Sequence, residues 1–197
     1  GTASVVAGTV IVKLVDGNDD TTLIPNAEFK IQRKINNTWV DYFIRGRKAS
    51  ATTNASGIAT FSGLSIGDYR LVQVSSQGNY TFNNNEFKPN PTYGTAGTLG
   101  ATTGEFSITS STQPGFATIV PNYLSVSKKI TGSKVYVDQD ENEISIPENT
   151  FKTVLAKLPG ENYDGVTMPT SLTANIQVSP SGEGFFEFEE IKFTKPG

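Results

Sequence analysis

The chain has 197 residues, of which 36% are hydrophobic and 10% aromatic, enough to fill folded cores in two domains of about 100 residues or in one large one. Its 16 basic and 19 acidic residues leave a net charge of −3 with no basic stripe along the sequence, which speaks against nucleic acid as a partner. Cysteine and histidine are both absent, so disulfides, thiol chemistry and thiolate or imidazole metal sites are excluded, and the commonest general base is missing. No enzyme, cofactor or metal is expected on these grounds, and no apolar run is long enough to span a membrane.

In chain order the pattern is that of strands. Residues 9–15 (TVIVKLV) are rich in β-branched side chains, and 27–34 (AEFKIQRK) alternate, with Phe29 and Ile31 on one face and Glu28, Lys30 and Gln32 on the other. Segments 39–44, 57–61 and 68–74 repeat the habit, and clusters such as Asp16-Gly17-Asn18-Asp19-Asp20 and Asn54-Ala55-Ser56-Gly57 mark the turns between them. Residues 83–103 are rich in Asn, Pro, Gly and Thr, lack periodicity, and predict a long surface loop. Strand character returns at 104–109 and 116–120, and a new alternating strand begins after Pro121-Asn122 with LSVSKKI at 124–130. Further strands are predicted at 151–158, 172–178 and 185–193, and the boundary falls near Asn122, giving domains 1–122 and 123–197. The fold class expected is all-β, with two tandem β-sandwiches.

Three charged groups are weighed on their own terms. Asp138, Asp140, Glu141 and Glu143 lack the spacing of a calcium loop and read as a solvated hairpin. Glu187 and Glu189 alternate with Phe186 and Phe188, which puts them with Glu190 on the outer face of a strand rather than in a catalytic pair. Arg45, Arg47 and Lys48, beside Trp39, Tyr42 and Phe43, read as a loop and exposed strand face; binding of a glycan or acidic partner there is the alternative.

The residues Ala27-Glu28-Phe29, the block from Thr53 through Gly57, Phe61, Gly63 and Leu64, and Gly67-Asp68-Tyr69-Arg70-Leu71 resemble a Cna protein B-type domain, an immunoglobulin-like or prealbumin-like sandwich, over residues 8–122. The second part resembles the isopeptide-linkage domain of FctA-type streptococcal pilins, through Leu124 to Lys128, Ile146-Pro147-Glu148-Asn149-Thr150-Phe151, and 186–197, with the family's final strands expected beyond Gly197. Both resemblances imply a structural or adhesive subunit of a Gram-positive pilus or cell-wall-anchored surface protein, extracellular, with other pilus subunits or a complementing strand in trans as partners. A host-protein- or glycan-binding adhesin module, using the 83–103 loop or the Trp39 face, is the other reading.

Both families are known for a self-made Lys–Asn isopeptide bond. A buried lysine loses its charge by desolvation and becomes nucleophilic, while a buried, protonated carboxylic acid polarises the Asn amide. The resemblance implies Lys13 as the amine, Asn122 as the amide, and residue 73 as the acid; here that residue is Gln73, which cannot release a proton. In the second domain Lys128, on one face with Leu124, Val126 and Ile130, is the candidate amine.

Overall fold

The computed structural model describes residues 1–4, 6–94, 97–100, 102–112, 115–146 and 151–194. Pro147 to Thr150 of the predicted second-domain motif, and Lys195 to Gly197, lie outside the described residues. The protein is all-β, and the chain divides into two compact units, Gly1–Leu124 and Ser125–Gly197.

The first unit is a sandwich of two sheets. Its strands are β1 (Val10–Asp16), β2 (Glu28–Ile35), β3 (Thr38–Asp41), β4 (Phe43–Ile44), β5 (Arg47–Lys48), β6 (Ser50–Thr52), β7 (Ile58–Phe61), β8 (Gly67–Gln73), β9 (Tyr80–Thr81), β10 (Lys88–Pro89), β11 (Glu105–Ile108) and β12 (Phe116–Leu124). One sheet runs β10-β12-β1-β7, with β9 extending it along β12; the other runs β11-β8-β2-β3, with β6 sharing the edge of β2. The first and last strands, β1 and β12, are parallel neighbours, in register from Val10 against Phe116 to Asp16 against Asn122. Gly115, one residue before β12, lies so close to the Thr9 carbonyl that a Cβ there would fall 1.7 Å from its oxygen. Only glycine lets the two strands meet at this end.

Alternation places Val10, Val12 and Leu14 of β1 against Phe29 and Ile31 of β2 and Tyr69 and Leu71 of β8 in one core. A column of rings crosses between the sheets. Tyr69 stacks on Phe106 (centroids 5.6 Å apart), and Phe106 stacks on Phe116 (4.4 Å). Burying each such ring contributes on the order of 2–3 kcal/mol. The predicted 83–103 loop is more structured than its composition suggests. Phe87 enters the core, and Lys88–Pro89 pairs with β12 as an edge strand, where the missing proline N–H is tolerated. A short 3-10 turn follows at Gly97–Gly100.

The second unit is built of shorter strands: β13 (Val126–Lys128), β14 (Thr131–Lys134), β15 (Tyr136–Val137), β16 (Glu143–Ile144), β17 (Lys152–Val154), β18 (Val166–Thr167), β19 (Thr173–Asn175), β20 (Gln177–Val178), β21 (Gly184–Glu187) and β22 (Ile191–Phe193). They form two three-stranded sheets, β13-β22-β18 and β14-β21-β20, and the pairs β15-β16 and β17-β19. The acidic segment is a hairpin turn between β15 and β16. Asp138 folds over it, its Oδ1 accepting the backbone N–H groups of Asp140 and Asn142 at 2.9 and 3.0 Å. The stretch predicted as one strand at 185–193 is two, because Phe188 turns inward and donates its N–H to the Ile130 carbonyl between β21 and β22.

Candidate functional site

Strand β8 presents Tyr69, Leu71 and Gln73 to the core in a period of two, so Gln73 is 3% exposed. Across the sandwich, β12 turns Asn122 inward, fully buried. The two primary amides pair reciprocally. Gln73 Nε2 donates to Asn122 Oδ1 at 2.6 Å, and Asn122 Nδ2 donates to Gln73 Oε1 at 2.9 Å. Ser76 Oγ donates to the same Asn122 Oδ1 at 2.6 Å, Asn122 Nδ2 also reaches the Pro121 carbonyl, and Gln73 Nε2 the Ser75 carbonyl. Asn84 then continues the ladder of β8 with its side chain, accepting the Gln73 N–H and donating to the Gln73 carbonyl. Among the described residues no buried side-chain nitrogen or oxygen is left without a partner. The result is a polar clasp that ties one sheet to the other inside an apolar core, where satisfied hydrogen bonds gain strength and unsatisfied ones are costly.

The neighbouring turn closes over this clasp. Asp16, in register with Asn122, accepts the N–H groups of Asn18 and Asp19 on Oδ1 and the Tyr80 hydroxyl on Oδ2 at 2.8 Å. Gly17 donates its N–H to the Asn122 carbonyl at 2.7 Å and lies against the Tyr123 ring, which a Cβ would strike at 2.2 Å. Burial first, then the hydrogen bond to Asp16 and the negative charges of Asp16 and Asp19, push the Tyr80 hydroxyl from its ordinary 10.0 up to about 12. A raised value means the folded state holds its proton more tightly than the unfolded one. The stabilisation is therefore complete below pH 10 and is lost as the pH rises through about 12. Urea unfolding across this window is expected to show the first unit weakening in the wild type, with the slope reduced in Tyr80→Phe.

The structure does not bring Lys13 to this site. Lys13 is in register with Ile119, three residues short of Asn122 and so roughly 10 Å away along the strand, and its half-buried side chain faces away from Val12 and Leu14. Strand parity and register both separate Lys13 from Asn122, the residue with which the resemblance pairs it. The core-facing residue of β1 nearest the clasp is Leu14, fully buried and in register with Val120. Lys128 sits in register with Ile191 and is exposed, as is Val126 on its strand, whereas the crosslink chemistry calls for a desolvated amine. Ser76 and Tyr80 stand in the segment 75–80, which resembles the A-P-x-G-Y loop of the B-type domain, but no role in a site was read for them or for Asn84 from the sequence. The signal that could have found them is the density of short polar residues just after β8.

Residues 8–90 match the family model described as the SpaA prealbumin-like fold domain. This SpaA-like region holds β1 through β10 and Gln73, while Asn122 follows it on β12. Solved structures similar to the chain include a streptococcal ancillary pilin, at 19% identity and TM-score 0.42, covering 60% of this chain and 29% of that one. They include the Bacillus anthracis TIE protein, at 15% identity and TM-score 0.42, covering 96% and 31%. The full-length major pilin SpaD from Corynebacterium diphtheriae is similar at 10% identity and TM-score 0.40, covering 95% and 55%. The chain thus spans about a third or less of the length of the first two. No curated protein matches it.

Proposed function

We propose that this chain is a structural module of a Gram-positive pilus or cell-wall-anchored surface protein, non-enzymatic, with other pilus subunits as its neighbours. The observation that carries the reading is the SpaA prealbumin-like match over residues 8–90, in a unit whose first and last strands lie side by side. Immunogold labelling of producing cells tests it: label on surface fibres or on the wall is expected, and label confined to the cell interior would overturn it. In this reading the first unit is closed by the Gln73–Asn122 amide pair instead of a covalent bond. The intact mass of the denatured protein is expected to equal the sequence mass. A deficit of one ammonia would sink the non-covalent closure while leaving the surface role untouched.

The second unit, in the same reading, takes a strand from a neighbouring molecule. Strand β13 is an edge of its sheet, with Val126 and Lys128 exposed along it, and an open edge is a template for pairing. Light scattering is expected to show concentration-dependent association. A monodisperse monomer whose second-unit amides are well protected from exchange would refute strand complementation.

A further inference from the structure

Charge is distributed very unevenly along this chain. Between Lys30 and Arg70 the sequence carries seven basic residues (Lys30, Arg33, Lys34, Arg45, Arg47, Lys48, Arg70) and two acidic ones (Asp41, Asp68), while the whole chain, with 16 basic and 19 acidic, is net −3. An excess of five positive charges is thus packed into β2 to β8, and the rest of the chain is strongly acidic. Folding gathers most of these cations on the outer side of the sheet β11-β8-β2-β3. Lys30 and Lys34 alternate outward on β2, and Arg70 stands beside Gln32, its Nε donating to Gln32 Oε1 at 2.7 Å. One carboxylate on this face, Asp41, receives Lys30 and Lys48 at 3.0 Å each and Gln32 Nε2 at 2.9 Å, so Lys48 ties the β4–β5 hairpin to this face. The Gln32 hydrogen bond, then those of Lys48 and Lys30, hold the Asp41 carboxyl well below its usual range. Glu28, Asp68 and Glu105 lie on the same outer face as Asp41, so the excess of positive charge is concentrated at the hairpin, at Arg45, Arg47 and Lys48.

Two features show that the cations are positioned. The Trp39 ring holds the Arg70 guanidinium at 4.8 Å and the Lys34 ammonium at 5.5 Å from its centroid, which fixes two long side chains that would otherwise be free. At the tip of the β4–β5 hairpin, Arg45 and Gly46 have φ of 51° and 77°, the signature of a tight turn that favours asparagine or glycine in the first position. An arginine there breaks the local preference, and the exposed run Arg45-Gly46-Arg47-Lys48 concentrates three cations at one projecting tip. Exposed residues out of place by local rules point to function.

We propose that this hairpin tip and the adjoining Lys30, Lys34 and Arg70 face bind a linear polysaccharide bearing sulfate or carboxylate groups. Arginine and lysine donors recognise such anions directly, and a chain of regularly spaced anions suits a row of fixed cations on a flat sheet. Nucleic acid fits less well. Single strands need free aromatic faces for stacking bases, and here the Trp39 ring is already occupied by Arg70 and Lys34.

Titration of the full chain with a heparin decasaccharide and, separately, with a hyaluronan decasaccharide tests this and distinguishes sulfate from carboxylate as the recognised group. Saturable binding to at least one, weakening as salt is raised, is expected. Replacing Arg45 and Arg47 by serine, which leaves the Lys48–Asp41 ion pair in place, should weaken binding by roughly tenfold without changing the thermal midpoint, because both side chains are exposed. A control with two exposed lysines of the second unit, Lys152 and Lys157, replaced by serine removes the same charge and should leave binding within about twofold, since neither belongs to the proposed site. Absence of binding to both saccharides, an equal loss in the control, or equal affinity for poly-glutamate or an oligothymidylate of matched charge would each overturn the proposal.

Discussion

Asn122→Ala is expected to destabilise the first unit by about 3 kcal/mol and to lower its thermal midpoint by roughly 10 °C. The magnitude follows from what is left behind. Without the Asn122 amide, Gln73 keeps a buried Oε1 with no donor and an Nε2 reduced to the Ser75 carbonyl, and the Ser76 hydroxyl loses its acceptor. Stranding buried polar groups costs far more than the net worth of the bonds themselves. Replacing both partners together, Gln73→Leu with Asn122→Leu, should cost clearly less than the sum of the two single changes, because no orphaned amide remains. Urea unfolding followed by near-UV circular dichroism reads both. An Asn122→Ala protein within about 0.5 kcal/mol of wild type would show that the clasp is incidental to stability.

The second large effect is chemical. Leu14→Lys combined with Gln73→Glu is expected to yield a protein lighter than its sequence mass by one ammonia. Leu14 is the fully buried residue of β1 that faces the core beside the clasp, and its register partner Val120 is two residues from Asn122, within reach of a lysine side chain. A lysine placed there is desolvated and driven to the neutral amine, and a glutamic acid at 73, also buried, keeps its proton and hydrogen-bonds the Asn122 amide. The neutral amine attacks the Asn122 carboxamide carbon, the C–N bond to the amide nitrogen breaks, and that NH2 group leaves as ammonia with the one proton the lysine nitrogen gives up, relayed by the acid at 73. Leu14→Lys alone should give no mass loss and a strongly destabilised domain, since a buried amine then lacks the acid that would polarise the Asn122 amide. Gln73→Glu alone, with Lys13 as the only lysine of β1, should leave the mass equal to that of its sequence. A mass deficit in that single variant would show that Lys13 can reach Asn122 after all.

How far the sequence could be read differs between the two sheets of the first unit. Strand β2 was plain, because its outer face carries Glu28, Lys30 and Gln32 and its inner face Phe29 and Ile31, so polarity alone gives the orientation. In β1 the two faces are both apolar apart from one lysine: Val10, Val12 and Leu14 against Ile11, Lys13 and Val15. With so little contrast between its faces, polarity alone does not tell which side of β1 meets the core, so the orientation of Lys13 was not legible. Gln73 and Asn122 were named from the resemblance, and their meeting across the core is visible only in three dimensions. The strand at Lys88–Pro89 was missed for a related reason: two residues pairing to an edge leave no periodicity to detect. Asn84 was missed because its contribution is a side chain imitating backbone.

The parallel placement of β1 beside β12 has a mechanical consequence. The chain enters the pair at Val10, beside Phe116, and leaves past Asn122 at the other end. A pull applied at the entry of β1 and the exit of β12 therefore slides the strands lengthwise past each other, and every rung between them is loaded at once. Antiparallel neighbours pulled from one end would instead peel apart rung by rung, each failing alone at low force. Rupture of this unit should accordingly be abrupt and should require most of the seven paired positions to yield together, with the amide clasp sitting at the end where the tension leaves.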